Sequence, residues 1–532
     1  MANSARKRVL VTDPVAEAAI DVLRAGADVE VRLDLSPADL LAVIGSYHAL
    51  VVRSQTRVTG ELIDAAANLE VIARAGVGVD NIDVDAATRR GIFVINSPEG
   101  NIVSAAEHTM ALLLALARHI PKADGELRAG VWDRSLKGTE LRNKTLGIIG
   151  FGRVGTAVAE MAKGFRVTVI ASDPMVTQTA ADRLSVQMVD LDTLLAKSDF
   201  VTVHVPLSQS TRGLLGRAQL ALMKPTALLV NCARGGIVDE TALYEALEAG
   251  RLAGAALDVF QTEPAVDSIL TRSAKTIVTP HLAASTVEAE TSAGKDVAEQ
   301  VIAVLSGYPP RSPVNAPLVS AEVMSAVREY VRAGATLGAI GAQMLGGQAK
   351  SITIRYQGEV ALQNTDPIKA AVLGGLLENV TEERVNMINM NLVAARRGLT
   401  IAEEKNPVCE NYSNMLTVEI DATPGKVVVA GSSLRGTFYL VRVNDFWVEI
   451  EPVGSYMLFT EHRDQPGMIG ALGTIMGNAG INISQMQVSR GVQRGGHAMM
   501  VVCLDEPLTA QAHQQLLAIP NMYRVSVVKL GG

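Results

Sequence analysis

Residue types suited to acid–base and anion chemistry recur at the ends of four apolar runs in the middle of this 532-residue chain. The runs Phe200–Val205, Ala227–Asn231, Ala255–Val259 and Thr276–Thr279 each read as a buried strand. They lead into His204-Val205-Pro206, Asn231-Cys232-Ala233-Arg234-Gly235-Gly236, Asp258-Val259-Phe260-Gln261-Thr262-Glu263-Pro264 and Pro280-His281-Leu282-Ala283-Ala284-Ser285-Thr286. Ligands of parallel sheets bind outside the carboxyl ends of strands, so Arg, Asp, Glu and His placed there in succession should converge on one crevice. An imidazole exchanges a proton near neutrality. A carboxylate beside it orients the ring and stabilises the charge it gains. A guanidinium offers a planar fork to an organic acid. Such a set suits proton transfer beside a bound carboxylate.

A second set of residues could hold a dinucleotide. Gly150, Gly152 and Gly155 supply G-x-G-x-x-G between the apolar run Leu146–Ile149 and the helical pattern Val154–Met161. The first glycine permits a tight turn, the second lets backbone approach a pyrophosphate, and the third lets helix pack on strand. The phosphates would sit at a helix N-terminus, where free N–H groups favour negative charge. A second run, Arg166–Ala171, ends near Asp173, 173 − 150 = 23 positions beyond the first glycine. An acid there accepts from both adenosine ribose hydroxyls and repels a 2′-phosphate, which favours NAD over NADP.

The preceding residues supply the rest of a scaffold. Runs at Arg8–Thr12, Val29–Arg32, Ala49–Arg53, Glu70–Ala73 and Ile92–Ile95 alternate with helical patterns such as Val15–Ala25, which argues for a doubly wound parallel sheet. Arg53-Ser54 and Arg74-Ala75-Gly76-Val77-Gly78-Val79-Asp80 begin at strand ends, where Arg53 and Arg74 could hold an anionic substrate. Asn101–Arg118 reads as one long, largely buried helix. The polar stretch Lys122–Arg142 after it reads as a loop, with Trp132 either anchoring a neighbouring subunit or packing on its own domain. Arg134, Lys137 and Arg142 lie in that stretch.

The whole chain sets outer bounds. Its length suggests three or four domains. A net charge of −7 leaves no basic footprint for nucleic acid. Cys232, Cys409 and Cys503 are few, odd in number and without metal-ligand spacing, which suits a reducing cytosol and no metal. Met1–Arg8 is short and basic with no signal core behind it, and the apolar Met110–Ala117 is too short to span a bilayer. A cytoplasmic protein is expected.

The segments RAGVGVDNID (74–83), GFGRVG, NCARGGIVDE (231–240), GAALDVF (254–260) and PHLAAST (280–286) make the resemblance specific. Residues 1–315 resemble the D-isomer-specific 2-hydroxyacid dehydrogenase family, and within it the long-form phosphoglycerate dehydrogenase branch. The resemblance implies an Arg–Glu–His set falling on Arg234, Glu263 and His281, with 3-phospho-D-glycerate as the acid oxidised. It implies a cofactor cleft lined by His204, Val205 and Pro206, with Asp258 facing the nicotinamide carboxamide and Thr211 meeting phosphate. Arg153, Val154, Pro174, Cys232, Ala233 and Ala284 complete the expected NAD contacts. Ser54, Val77, Gly78 and Asn101 join Arg53 and Arg74 around the substrate. Phe151, Ala283 and Val77 depart from the residues usual in related enzymes, which bears on substrate placement and not on reaction class.

Tyr308-Pro309-Pro310 and the 313–317 prolines mark a boundary. Beyond it, helical patterns (Val323–Met344, Ile368–Arg397) mix with strands at Ser351–Tyr356, Met415–Ile420, Val427–Ser432 and Phe446–Ile450. This part resembles the intervening domain of the same branch. Residues 456–530 read as βαββαβ and resemble the ACT amino-acid-binding domain, which implies that His462, Asp464 and Asn482 clasp L-serine as an effector. The expected fold class is thus α/β: two doubly wound parallel-sheet domains, a flavodoxin-like substrate domain (1–99 plus 285–316) and a Rossmann NAD domain (100–284). An α+β intervening domain (317–452) and a ferredoxin-like ACT domain (453–532) follow. A homo-oligomer, dimer or tetramer, is expected.

Overall fold

The computed structural model describes residues 6–378, 380–381, 384–423, 425–491 and 495–530; most of the short basic start, residues 1–5, lies outside them. Four sheets carry the chain. The first is all parallel, in the order Asp28–Val31, Arg8–Val11, Ala49–Val52, Val71–Arg74, Phe93–Asn96. That is the flavodoxin-like order 2-1-3-4-5. The helix Val287–Leu305 returns to this sheet, burying Val297, Ala298 and Val301 against Ala19, Ile20 and Leu23 of the helix Glu17–Gly26. Asn315 then donates to the Ile92 carbonyl and accepts the Val94 amide, stitching the returning chain to the sheet edge.

The second sheet has seven parallel strands, ordered Thr276–Val278, Gly254–Leu257, Leu228–Asn231, Phe200–Val203, Thr145–Ile149, Thr168–Ser172, Gln187–Met188. Six runs were legible in the sequence; the seventh strand, Gln187–Met188, is a two-residue edge piece with no periodicity to read. The helix Ile102–Ala117 packs across this sheet through Leu112, Leu113 and Leu116. The polar stretch after it is not all loop. Ile120–Arg128 forms a helix with no buried residue, braced by Lys122–Glu126 and Asp124–Arg128 pairs at one-turn spacing.

The third sheet is mixed and has six strands: Thr400–Asn406, Ala349–Gly358, Asn414–Ala422, Gly425–Leu434, Thr437–Val443, Phe446–Ile450. Two of these, Thr400–Asn406 and Thr437–Val443, go beyond the sequence reading. The first is an exposed, charged edge strand without alternation. The helical pattern 368–397 divides into Asp366–Leu377 and Met390–Arg396. Between them, Asn386 and Asn389 turn away from helix pairing and donate to the Gly91 and Arg89 carbonyls of the first unit. A side chain at Gly91 would meet Asn389 Nδ2 at 2.9 Å.

The fourth sheet is antiparallel, ordered Ile483–Arg490, His497–Leu504, Tyr456–Arg463, Met522–Lys529, with helices Met468–Asn478 and Ala510–Leu517 on one face. Its other face, through Met457, Phe459, Met499 and Val501, shares one core with the third unit.

Candidate active site

Strand register explains the convergence. Asn231 is level with Val203 and Leu257, and Leu257 with Val278. The residues one step further along, His204, Cys232, Asp258 and Thr279, therefore form a row at one edge of the second sheet. In the first sheet Val52 is level with Arg74, so Arg53 and Arg74 emerge together. The two edges face each other across a cleft of about 660 Å³ lined by residues that include Arg53, Ser54, Arg74, Val77, Gly78, Asn101, Arg234, Glu263, His281 and Ala284.

Within it, His281 Nδ1 lies 2.9 Å from Glu263 Oε2, and Glu263 Oε1 accepts the Phe260 amide at 3.0 Å. Burial pushes the Glu263 pKa up, but the bonds from His281 and Phe260 and the Arg234 charge outweigh it and hold the carboxyl below its ordinary value. With Nδ1 engaged, Nε2 is the nitrogen left to exchange a proton with a ligand. Arg234 hydrogen-bonds the Ala233 carbonyl at 2.7 Å and faces Asp80 at 3.5 Å. Gly78 runs beneath this group: a Cβ there would run into Arg234, meet Asp80 Oδ2 at 2.7 Å and Arg74 Nη1 at 3.0 Å.

The arginines are held from behind. Arg74 is mostly buried, and burial with the nearby Arg234 and Arg53 charges lowers its pKa; a guanidinium still keeps its charge. Arg74 Nε donates to the Arg53 carbonyl at 3.2 Å, and Arg53 pairs with Glu290 of the returning helix at 2.9 Å. The buried Asp13 accepts the Arg53, Gln55 and Thr56 amides. The sequence does not announce Asp13 or Glu290 as supports, and it shows Asp80 only as the end of the strand-end segment 74–80, with no partner assigned. Only Asp13 carried a signal, an acid at the end of the first apolar run.

The glycine loop fits a dinucleotide. Gly150 has φ +91° and a Cβ there would meet the His204 carbonyl carbon at 2.7 Å. A Cβ at Gly155 would strike the Gly150 carbonyl oxygen, whereas at Gly152 it would meet open space, so the chain leaves room over the first turn of the helix Arg153–Lys163. Asp173 stands beside that turn, Oδ2 accepting the Phe151 amide at 2.8 Å. Val154 packs into the sheet core, Pro174 is exposed, and Arg153 pairs with Glu99 at 3.2 Å.

His204, Val205 and Pro206 lie beside the loop; burial pushes the His204 pKa down to about 4, so its ring is neutral at pH 7. The Cys232 thiol, beside Ala233, is pushed up to about 12 by burial and stays protonated. The Thr211 hydroxyl donates to the Pro206 carbonyl at 2.5 Å and accepts the Ser208 amide at 2.8 Å, so it staples its own loop. Asp258 is fully buried, and both oxygens are turned to the 279–283 segment.

The C-terminal residues are not brought together within one chain. His462 pairs across from Ala498, while Ile483, next to Asn482, is level with Leu504. Six strand residues separate the two ends, roughly 20 Å. His462 is buried, Asp464 pairs with Arg490 at 3.3 Å, and Asn482 donates to Asp505 at 2.6 Å. A wider cleft of about 940 Å³ lies between the third and fourth sheets, where Arg355 meets Glu404 and Glu419 at 2.6 Å.

Three family models match the chain in order: the NAD-binding domain of D-isomer specific 2-hydroxyacid dehydrogenases over residues 110–283, the D-3-phosphoglycerate dehydrogenase intervening domain over 326–444, and the ACT domain over 456–521. A D-3-phosphoglycerate dehydrogenase from Synechocystis is 42% identical over 526 residues, 98% of this chain and 95% of the relative. Another, from Archaeoglobus fulgidus, is 41% identical over 98% of this chain and all of its own length. The chain belongs to the D-3-phosphoglycerate dehydrogenase family. It is an NAD-dependent dehydrogenase with an ACT domain. Solved structures share the catalytic part of this D-3-phosphoglycerate dehydrogenase fold. D-lactate dehydrogenase from Escherichia coli (26% identical, TM-score 0.52) and a glyoxylate reductase from Paecilomyes thermophila (28%, 0.54) each cover 58% of this chain and 99% of their own. Among the described residues no helix is long and apolar enough to cross a membrane, and no His, Cys, Asp and Glu group could hold a metal ion.

Proposed function

We propose that the chain oxidises 3-phospho-D-glycerate to 3-phosphooxypyruvate, the first step of phosphorylated L-serine synthesis. The observation that carries this reading is the meeting of three arginines, Arg53, Arg74 and Arg234, with the His281–Glu263 pair in one cleft. A single carboxylate needs one guanidinium; a doubly anionic phosphoryl group accounts for the other two. Arg234 grips the carboxylate and polarises the carbon–oxygen bond beside it. His281 Nε2 takes the hydroxyl proton while Glu263 steadies the imidazolium, worth ~10²–10⁴ in rate. NAD, when bound over Gly152, supplies the hydride acceptor. The names of the curated relatives support the same substrate.

The test is NADH formation with 3-phospho-D-glycerate beside D-lactate, D-glycerate and D-2-hydroxyglutarate, the product drawn off with hydrazine. Preference for an unphosphorylated acid overturns the substrate and keeps the chemistry. Activity on 2-hydroxyglutarate and 2-oxoglutarate is a second reading, favoured because its distal carboxylate suits the same two arginines.

Regulation by L-serine at the ACT domain, acting through His462, Asp464 and Asn482, belongs to the same proposal. Their separation means that a serine touching all three would draw them from two copies of the chain. Trp132, 78% exposed, is not packed on its own unit and supports a homo-oligomer in which Arg134, Lys137 or Arg142 could reach a neighbour's cleft; a cytoplasmic location is part of the same proposal. The domain limits proposed are 1–99 plus 285–316, 100–284, 317–452 and 453–532.

A further inference from the structure

The imidazole of His281 stands on an unusual stretch of backbone. Its φ is +57°, in the left-handed region that costs an L-residue roughly 1–2 kcal/mol. Such a conformation persists only where its surroundings over-determine it. Here they do so through one side chain. The Leu282 amide donates to Asp258 Oδ1 and the Ala283 amide to Oδ2, both at 2.8 Å. The Thr279 hydroxyl donates to Oδ1 at 2.6 Å, and the His281 amide to the Asp258 carbonyl at 2.8 Å. Residues on both sides of His281 are thus tied to Asp258.

A fully buried carboxylate is costly unless hydrogen-bonded and paired. No Lys or Arg pairs with Asp258 among the described residues; the group that faces it is His108, from the middle of the helix Ile102–Ala117. Its Nε2 is hydrogen-bonded to Thr279 Oγ1 at 3.3 Å and lies 3.4 Å from Asp258 Oδ1, so the ring braces the hydroxyl that donates to Asp258 and faces the carboxylate itself. Thr279 Oγ1, already donating to Asp258, has lone pairs free to accept. The chain of contacts runs from His108 through Thr279 and Asp258 to the amides that flank His281.

We propose that His108 is a positioning residue for His281: it braces the Thr279 hydroxyl and faces the buried Asp258 carboxylate, and so helps fix the left-handed turn that aims the imidazole into the cleft. His108 does not line the cleft, so it acts through Asp258 and not on substrate. This rests on the reading of His281 as the proton-transfer group.

The test compares His108→Leu with His108→Gln, whose amide nitrogen falls near the lost Nε2. His108→Leu should lower kcat by ~10–100-fold, the scale on which ångström misplacements act, with KM for NAD and 3-phospho-D-glycerate changed by less than about threefold. His108→Gln should recover most of the loss. A kcat within about twofold of wild type in His108→Leu, or equal loss in both variants, overturns the proposal. If His108→Leu does not fold, Thr279→Val, which removes the hydroxyl at constant shape, decides by the same kcat criterion. A wild type inactive on every 2-hydroxy acid sinks the functional reading instead. The ¹⁵N imidazole resonance of His281, assigned by its loss in His281→Gln, then judges the positioning: unchanged position and width in His108→Leu overturns it.

Discussion

Glu263 divides its two carboxylate oxygens between the His281 ring, at 2.9 Å, and the Phe260 amide, at 3.0 Å. The second bond fixes the acid on its own loop, so the first can fix the ring. His281→Gln should lower kcat by ~10²–10⁴-fold with substrate KM little changed. Glu263→Gln keeps an acceptor but no charge and should cost less, about tenfold. Because the Glu263 pKa is held below its ordinary 4.5, what its charge adds to stability is complete above that value and is lost as pH falls through the lowered one. Steady-state kinetics and urea unfolding between pH 3 and 7, in ~0.5-unit steps, read both effects.

The arginines should separate by their burial. Arg74 is mostly enclosed and little solvent can replace the charged contact it loses, so Arg74→Ala should cost about 2–3 kcal/mol, ~30–160-fold in kcat/KM for 3-phospho-D-glycerate. Arg53 is partly exposed and shared with Glu290, and Arg53→Ala should cost less. D-Lactate, lacking the phosphoryl group, should respond to neither.

Gly78→Ala tests the cleft's floor. The added methyl collides with Arg234, Asp80 and Arg74 together, and displacing a positioned guanidinium by an ångström should cost ~10²-fold in kcat/KM. The melting temperature should stay close to wild type, since no core group is touched.

Asp173→Asn bears on cofactor choice. The amide oxygen can still accept from Phe151, while the bond from the Met175 amide and the charge proposed to face the ribose are lost. Losing a charge-assisted bond of about 2 kcal/mol should raise KM for NAD ~30-fold and narrow the preference over NADP. An unchanged NAD/NADP ratio would remove Asp173 from the ribose.

His204 should make the fold acid-sensitive. Its pKa falls from 6.5 when unfolded to about 4 in the fold, so between these values the unfolded chain binds the extra proton. Stability should therefore drop as pH falls from 6.5 to 4. The residue is only half-buried by surface area, so the ~3.4 kcal/mol that a 2.5 pH-unit gap implies is an upper bound. The difference in urea-unfolding free energy between pH 7 and pH 4.5 should shrink in His204→Gln.

The residues that announce chemistry were legible because they follow apolar runs whose ends are fixed by strand register. Arg234, Asp258 and His281 are next to, or within a few positions of, the last paired residue of their strands. What could not be read is what holds them. Asp13, Asp80, Glu290 and His108 act across about 40 to 240 sequence positions, and beyond the place of Asp13 at the end of the first apolar run nothing local announces their partners. The same limit explains the sheets. Gln187–Met188 and Thr400–Asn406 are edges held by a neighbour's backbone, so side-chain pattern carries no trace of them. His462 and Asn482 come from two segments of one resemblance but sit toward opposite ends of the strand His497–Leu504, on either side of it, a separation that only the register reveals.

The returning helix has a consequence for how the chain is made. Val94 waits for Asn315, which lies 221 residues downstream. At roughly 5–20 residues per second, a ribosome needs about 10–45 s to deliver it. Throughout that interval Ala19, Ile20 and Leu23 lack the apolar cover that Val297 and Val301 later give them. The 145–278 sheet is complete within the same interval and can fold first. The part of the enzyme synthesised earliest is thus the one finished later, and it is the half-built first sheet that nascent-chain chaperones would meet.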